Sequence, residues 1–567
     1  MSKELAKFED WPLKTPRIKP IIKKVNALTA GLKAAKTGEE AYKIYKKMSR
    51  LSDKVSDDFT HISVLFSLDT TNETYKKAMK IINEGGPEVN VANIEFEKAF
   101  VESPYRSFLE GKLGSFIFKM YENALKGFDD RVVKEAQKEN ELVMDYQGVI
   151  ASFKIPFRGA TYNLPQMGKF LKDKDRETRK EASEATYTYL DTRADEMENI
   201  YSSLVAVRTE MAHKLGYKSY TELAYIRMNR FDYTPEMVAS YREQIHQEVT
   251  PLSAKLIREQ MRRIGISSPK IYDLDMMFAD GNAIPTGSTS DKVNHAKTMY
   301  KALSPDTDYF FNFMVDHDLL FLDAKPGKQS GGYMTYFPIH KCPIIFSNFN
   351  GTSGDVDVLT HEFGHSFQAY MARNIKIPEY RSPTMESCEI DSMSMEFFAE
   401  PYMNLFFDKP DKYRYSHLAD SIEFLPYGVS VDEFQHWVYA NPNATPDERD
   451  AAWHSIEEKY TPWKVKYEEN CHFLFKGRRW LYQTHIFEVP FYYIDYTLAQ
   501  VCAFEFFNMD RKNHEKAWKK YLKLCKLGGK YPFLTLLSKT GLKSPFAEGT
   551  LKKTIKPLVK VLKGYNL

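Results

Sequence analysis

The chain has 567 residues, 43% of them hydrophobic and 27% charged, the composition of a globular protein with a large core. Its 79 basic and 76 acidic side chains leave a net charge of +3, which lacks the basic excess of a dedicated nucleic-acid binder, so no nucleic-acid partner is expected. The five cysteines, Cys342, Cys388, Cys471, Cys502 and Cys525, form no CxxC pair; they read as free thiols, and a cytoplasmic location is expected.

The opening MSKELAKFEDWPLK carries acidic residues and no apolar run, so it does not read as a signal peptide. Ile44, Met48, Leu51 and Val55 recur at helical spacing, and similar patterns fill residues 66–145 and 165–320. Residues 149–164 are rich in β-branched and aromatic side chains around Pro156 and Gly159, which predicts a short hairpin. A soft boundary near residue 165 divides an N-terminal helical region, 1–165, from a larger helical domain, 166–567. Residues 331–349 break the helical pattern again. Tyr333, Thr335 and Phe337 alternate, and Pro343 to Phe346 is a short apolar run, so a small sheet is expected. Gly331 and Gly332 would let an extended peptide approach its edge. A turn cluster at 350–354 follows, and Asp355 or Ser353 can cap the next helix.

On that helix, residues 361–365 read His-Glu-Phe-Gly-His. His361 and His365 are one turn apart on one face, where two imidazoles can grip a single zinc ion, with Glu362 beside the open coordination position. Gly364 inside a helix costs about 1 kcal/mol relative to Ala, which points to close approach by another backbone or by substrate. A zinc hydrolase needs a third protein ligand. Ser382-Pro383 reads as the start of a helix that runs to Pro401 and offers Glu386, Glu389 and Glu396; spacing alone leaves Glu386 and Glu389 open. Glu396 and Asp357 are candidates to orient the histidines. Cys388 reads as a buried, inert thiol. Residues 489–509 are apolar but interrupted by Asp495 and Glu505, a buried helix rather than a membrane span. Residues 551–563 read as an amphipathic surface helix, and no membrane partner is expected.

HEFGH followed by Glu389-Ile390-Asp391-Ser392-Met393-Ser394-Met395-Glu396 resembles the thimet oligopeptidase and oligoendopeptidase F family of zinc metallopeptidases. So do Pro490-Phe491-Tyr492-Tyr493-Ile494-Asp495-Tyr496 downstream and residues 346–352, FSNFNGT, upstream, with weaker likeness at 175–180 and 213–217. In length and motif the chain is most similar to the oligoendopeptidase F and Pz-peptidase branch. The resemblance implies a mostly α, prolate, two-lobed fold around a deep central channel, with the small sheet beside the HExxH helix. It selects Glu389 as third ligand, with His361 and His365, of one Zn2+. Glu362 would be the general base. Tyr496 and His485 would donate to the oxyanion, with Tyr493, or Tyr492 in competition with it, as a further substrate contact. It implies endopeptidase action on oligopeptides; the alternative is a zinc carboxypeptidase or dipeptidyl carboxypeptidase. Asp391 departs from the family's pattern, where a His is expected, so an altered surround of the metal is anticipated.

Overall fold

The computed structural model describes residues 5–467 and 471–567. Helices dominate it, as the periodicity predicts, and the described strands form only two small sheets. The expected hairpin is present but short: β1 (Ile155–Phe157) pairs antiparallel with β2 (Ala160–Tyr162). Its turn places Arg158 and Gly159 at positive φ, the backbone that a two-residue hairpin loop requires.

The second sheet holds β3 (Leu320–Asp323), β4 (Tyr333–Phe337) and β5 (Cys342–Phe349) in the order β3-β5-β4. β4 runs antiparallel to β5, and β3 runs parallel to it. β3 was not expected. Its four residues, LFLD, are too few to set a period of two against the helical run before them. β5 is buried along almost its whole length, so the sheet is anchored by its middle strand and β4 is left at an edge.

The helix that carries HEFGH spans Gly354–Ala372 and leaves directly from the end of β5. Ser353 makes no side-chain cap. Asp355 instead turns its carboxylate back to accept the N–H groups of Asn350 and Gly351, at 2.8 and 3.0 Å. The next long helix, bearing Glu389, spans Met385–Ala399 with Thr384 at its N-cap, two residues later than Ser382-Pro383 predicted. Ser382 and Pro383 stay outside the helix and lie against the Gly528-Gly529 turn: a Cβ on Gly529 would stand 2.1 Å from the Ser382 carbonyl oxygen. The helix ends just before Pro401, as expected, and gives way to a 3-10 turn, Glu400–Leu405.

Two further helices complete the setting, Pro410–Ala440 and Tyr493–Asp510. The latter is buried nearly all round; its Asp495 pairs with Arg230 at 2.8 Å, and among the described residues no helix is long and apolar enough to cross a membrane. The last helix, Thr550–Leu562, is amphipathic, and its apolar residues Leu551, Ile555, Leu558 and Leu562 are buried in the core. One continuous core runs from Phe8 to Leu562. The N-terminal helices build a second around Tyr45, Phe96, Phe100 and Phe118, joined by Tyr380 from the loop after the HEFGH helix.

Candidate metal centre

The HEFGH and Glu389 helices pack closely against each other, and the Glu389 helix in turn packs most extensively on Tyr493–Asp510. Gly364 makes the first contact close. A Cβ there would stand 2.6 Å from Ser392 Cα and 2.7 Å from the Asp391 carbonyl oxygen. The glycine predicted to mark a close approach therefore admits the backbone of the neighbouring helix.

That approach brings His361 Nε2 to 3.3 Å and His365 Nε2 to 3.5 Å from the same oxygen, Oε2 of Glu389. The three ligand atoms lie within 4.8 Å of one another, and they are the one such group among the described residues. Ligands held about 2.0–2.1 Å from a tetrahedral ion stand about 3.4 Å apart, so the two measured edges fit a divalent ion of that class. Glu386, left open by spacing, is turned away. It is buried with neither carboxylate oxygen hydrogen-bonded, and burial beside Asp495 pushes its pKa up to about 8.

Two members of the group, His361 and Glu389, are oriented by neighbours. Glu396 takes His361 Nδ1 at 2.6 Å and is held in turn by His417 Nε2 at 2.7 Å. A hydrogen bond on Nδ1 leaves Nε2 facing the ligand cluster, the usual arrangement of a carboxylate behind a metal-bound imidazole. Burial opposes a charged His361, yet its hydrogen bonds to Glu389 and Glu396 win and hold its pKa well above the ordinary value. Burial likewise opposes a charged Glu389, and the two histidines draw its pKa well below the usual range. Ser392 donates to Glu389 Oε2 at 3.1 Å, and Tyr492 donates to Oε1. Asp357, the other predicted orienting group, instead accepts from the Tyr413 hydroxyl at 2.5 Å.

Glu362 is 8% exposed. Burial raises its pKa, His361 and His365 pull it back, Glu389 pushes it up again, and the Met334 backbone N–H stabilises its charge. The edge strand β4 thus abuts the carboxylate expected to act as base. Gly332, at the head of β4, would bring a Cβ within 3.1 Å of Val358 on the HEFGH helix, and Gly331 has φ +97°; its carbonyl accepts from Asn348 at 2.9 Å.

The aromatic side of the site comes from 483–496. His485 Nε2 faces the Tyr496 hydroxyl at 3.4 Å, and the Tyr492 and Tyr496 rings lie 4.8 Å apart. Of the competing pair, Tyr492 reaches the ligand Glu389; Tyr493 packs its ring against Phe424, Tyr427 and His485. The reason is local. Tyr492 precedes the helix as its N-cap, and Phe491 before it is left-handed at φ +67°. That strained aromatic is held by Arg230, which takes its carbonyl, and by Gln435, which accepts its N–H at 2.7 Å.

Asp391 does not enter the metal's surroundings. It points to Cys525, whose thiol approaches Oδ1 at 3.5 Å, and burial raises its pKa well above the ordinary value. Cys388, expected to be buried, is half-buried and donates to the Pro383 carbonyl at 3.5 Å; desolvation raises its thiol pKa well above the ordinary value. His417, Ser392 and Gln483 were missed. Ser392 and Gln483 sit three and two residues from their partners Glu389 and His485, so their spacing was in the sequence, whereas His417 meets Glu396 only through the packing of another helix.

A helical fold holding an HExxH pair and a helix-borne Glu around one cation-sized space defines a metallopeptidase. The sequence pattern of the Peptidase M3 N-terminal domain matches residues 8–128, and that of Peptidase family M3 matches 169–283 and 315–554. The chain belongs to peptidase family M3. It is similar to a solved Pz peptidase A with inhibitor, 43% identical, with a TM-score of 0.96 over 99% of this chain and 100% of that one. A chain from Bacillus anthracis str. Ames assigned to oligoendopeptidase F is 43% identical, with a TM-score of 0.91 over 100% of this chain and 99% of that one. Among curated proteins, Oligopeptidase PepF of Bacillus subtilis (strain 168) is 20% identical over 94% of this chain and 81% of its own length. The mostly α, two-lobed class expected from the motifs is the class of these structures.

Proposed function

We propose that the protein is a zinc-dependent endopeptidase that cuts internal bonds of oligopeptides in the cytosol. The observation that carries this reading is the convergence of His361 and His365 on one oxygen of Glu389, 3.3 and 3.5 Å away, with Glu362 on the same helix. Two imidazoles and a carboxylate are the ligand set of catalytic zinc sites in peptidases, which keep one position open. When bound, the ion would polarise the scissile carbonyl and acidify a water.

The chain's own groups supply the rest. Glu362, its pKa raised by burial, accepts the water proton and returns it to the departing amine. Tyr496 and His485 stand together and donate to the carbonyl oxygen as charge develops on it. Burial lowers the His485 pKa against the pull of Glu389, so the ring is a neutral donor at neutral pH. An extended substrate adds to the outer edge of β4, just after Gly331 and Gly332; main-chain pairing reads no side chain and tolerates many sequences. Tyr492, bonded to Glu389, tunes the ligand, and Tyr493 lines the substrate side. The five free thiols support a reducing compartment. We place the domain boundary near residue 165, between the two matched family patterns.

The test is mass spectrometry of products from a mixed peptide library that includes peptides blocked at both ends, with and without chelator. Internal cleavage of the blocked peptides, lost on chelation, is expected. Release of single residues or dipeptides from free C-termini alone would show a carboxypeptidase instead.

A further inference from the structure

His485 is held from behind by two side chains that the reaction does not consume. Gln483 Nε2 lies 3.0 Å from His485 Nδ1, and its Oε1 accepts the Tyr427 hydroxyl at 2.7 Å. Tyr427 comes from the long helix Pro410–Ala440, while Gln483 and His485 flank the start of a short helix, Thr484–Glu488. The amide oxygen takes the Tyr427 proton, and the amide nitrogen faces His485. Burial raises the Tyr493 phenol's pKa, and Gln483 draws it back. Arg208 clamps the same turn by donating to the carbonyls of Ile486 and Phe487, so the ring cannot swing away from the amide.

An amide N–H can only donate, so Nδ1 must present its lone pair. A neutral imidazole has one proton, which then sits on Nε2 and faces Tyr496, 3.4 Å away. We propose that Gln483, anchored by Tyr427, is a positioning residue that fixes His485 in the Nε2–H tautomer and so makes it a donor to the scissile carbonyl oxygen. This rests on the peptidase reading above for its purpose, but the tautomer itself is a property of the resting protein. The opposite tautomer would present a lone pair to an oxygen gaining negative charge, and the contact would become repulsive.

The tautomer is read without turnover. Long-range proton–nitrogen correlation on zinc-loaded protein labelled in its 14 histidines assigns His485 by the signal lost in His485→Gln. A proton on Nε2 alone at neutral pH is expected; a proton on Nδ1 overturns the proposal, whatever the peptide assay gives. Gln483→Glu supplies the second arm. A carboxylate only accepts, so it recruits a proton to Nδ1 and raises the ring's pKa; Glu389 is the charged group already facing that ring. Below the raised pKa the imidazolium still donates from Nε2, and above it the neutral Nδ1–H form does not. Gln483→Glu should therefore lose kcat as pH rises through that value, a limb that wild type and Gln483→Leu lack. Gln483→Leu should lower kcat by about 10-fold with KM little changed, the usual size for a group that orients another. A Gln483→Glu profile that follows wild type contradicts the proposal. Loss of chelator sensitivity would sink the peptidase reading and leave the nuclear resonance result standing.

Discussion

At the scale of single residues, the site is a set of side chains whose protonation and direction are imposed by neighbours. Glu362→Gln keeps shape and removes the base; kcat should fall by about 10³-fold or more, with metal content by plasma emission unchanged. An unchanged kcat would remove Glu362 from the mechanism. If Tyr496 donates to the developing oxyanion as proposed, Tyr496→Phe should cost about 3 kcal/mol in kcat/KM. The Glu396 carboxylate accepts 2.6 and 2.7 Å bonds from the His361 and His417 rings, so Glu396→Gln weakens the support behind His361. Metal affinity should drop about 10- to 100-fold, measured by competition with a chromogenic chelator. What was legible here was local. HEFGH is a spacing on one helix, and Glu396 is two turns beyond Glu389 on the next. His417 was not legible, because it meets Glu396 from a helix 21 residues away. The choice between Tyr492 and Tyr493 was not legible either, since the left-handed Phe491 sets where the helix starts.

At the scale of elements, the metal centre depends on two helices lying closer than ordinary side chains allow. Gly364 sits 2.6 Å, by its absent Cβ, from Ser392 Cα, a backbone atom that cannot swing aside. Gly364→Ala should destabilise the protein by about 1–3 kcal/mol, seen as a lower thermal midpoint, and should lower metal affinity by spreading Glu389 from the histidines. An unchanged midpoint would mean that the helices separate freely. The loop between these helices is tied to the N-terminal helices. Glu379 accepts from Tyr45 at 2.7 Å and from Tyr121, and Arg381 grips Asp53 at 2.9 and 3.0 Å. Asp53→Ala removes the charge partner of a largely buried Arg381 and should also lower the midpoint. The long helices, the short hairpin and the sheet were legible from periodicity. β3 and the late start at Met385 were not, because both are decided by contacts with distant segments, β5 and the Gly528-Gly529 turn.

At the scale of the whole molecule, one core spanning Phe8 to Leu562 makes the metal site the product of the entire chain rather than of one segment. The N-terminal core, with Tyr380 inside it, joins the region before residue 130 to the loop that aims Glu389. The family class was legible because three motifs stood in order between residues 346 and 496; the first 160 residues carried little motif signal, although a family N-terminal pattern matches 8–128. The central claim is that one divalent ion, held by His361, His365 and Glu389, is required for peptide cleavage. The direct measurement is zinc content and turnover of a doubly blocked peptide, followed on the same sample through stepwise chelation and zinc return. Turnover should track bound zinc, reach its maximum at one ion per chain, and vanish with zinc binding in Glu389→Ala. Full turnover in metal-free protein, or one tightly bound zinc in Glu389→Ala, would contradict the account.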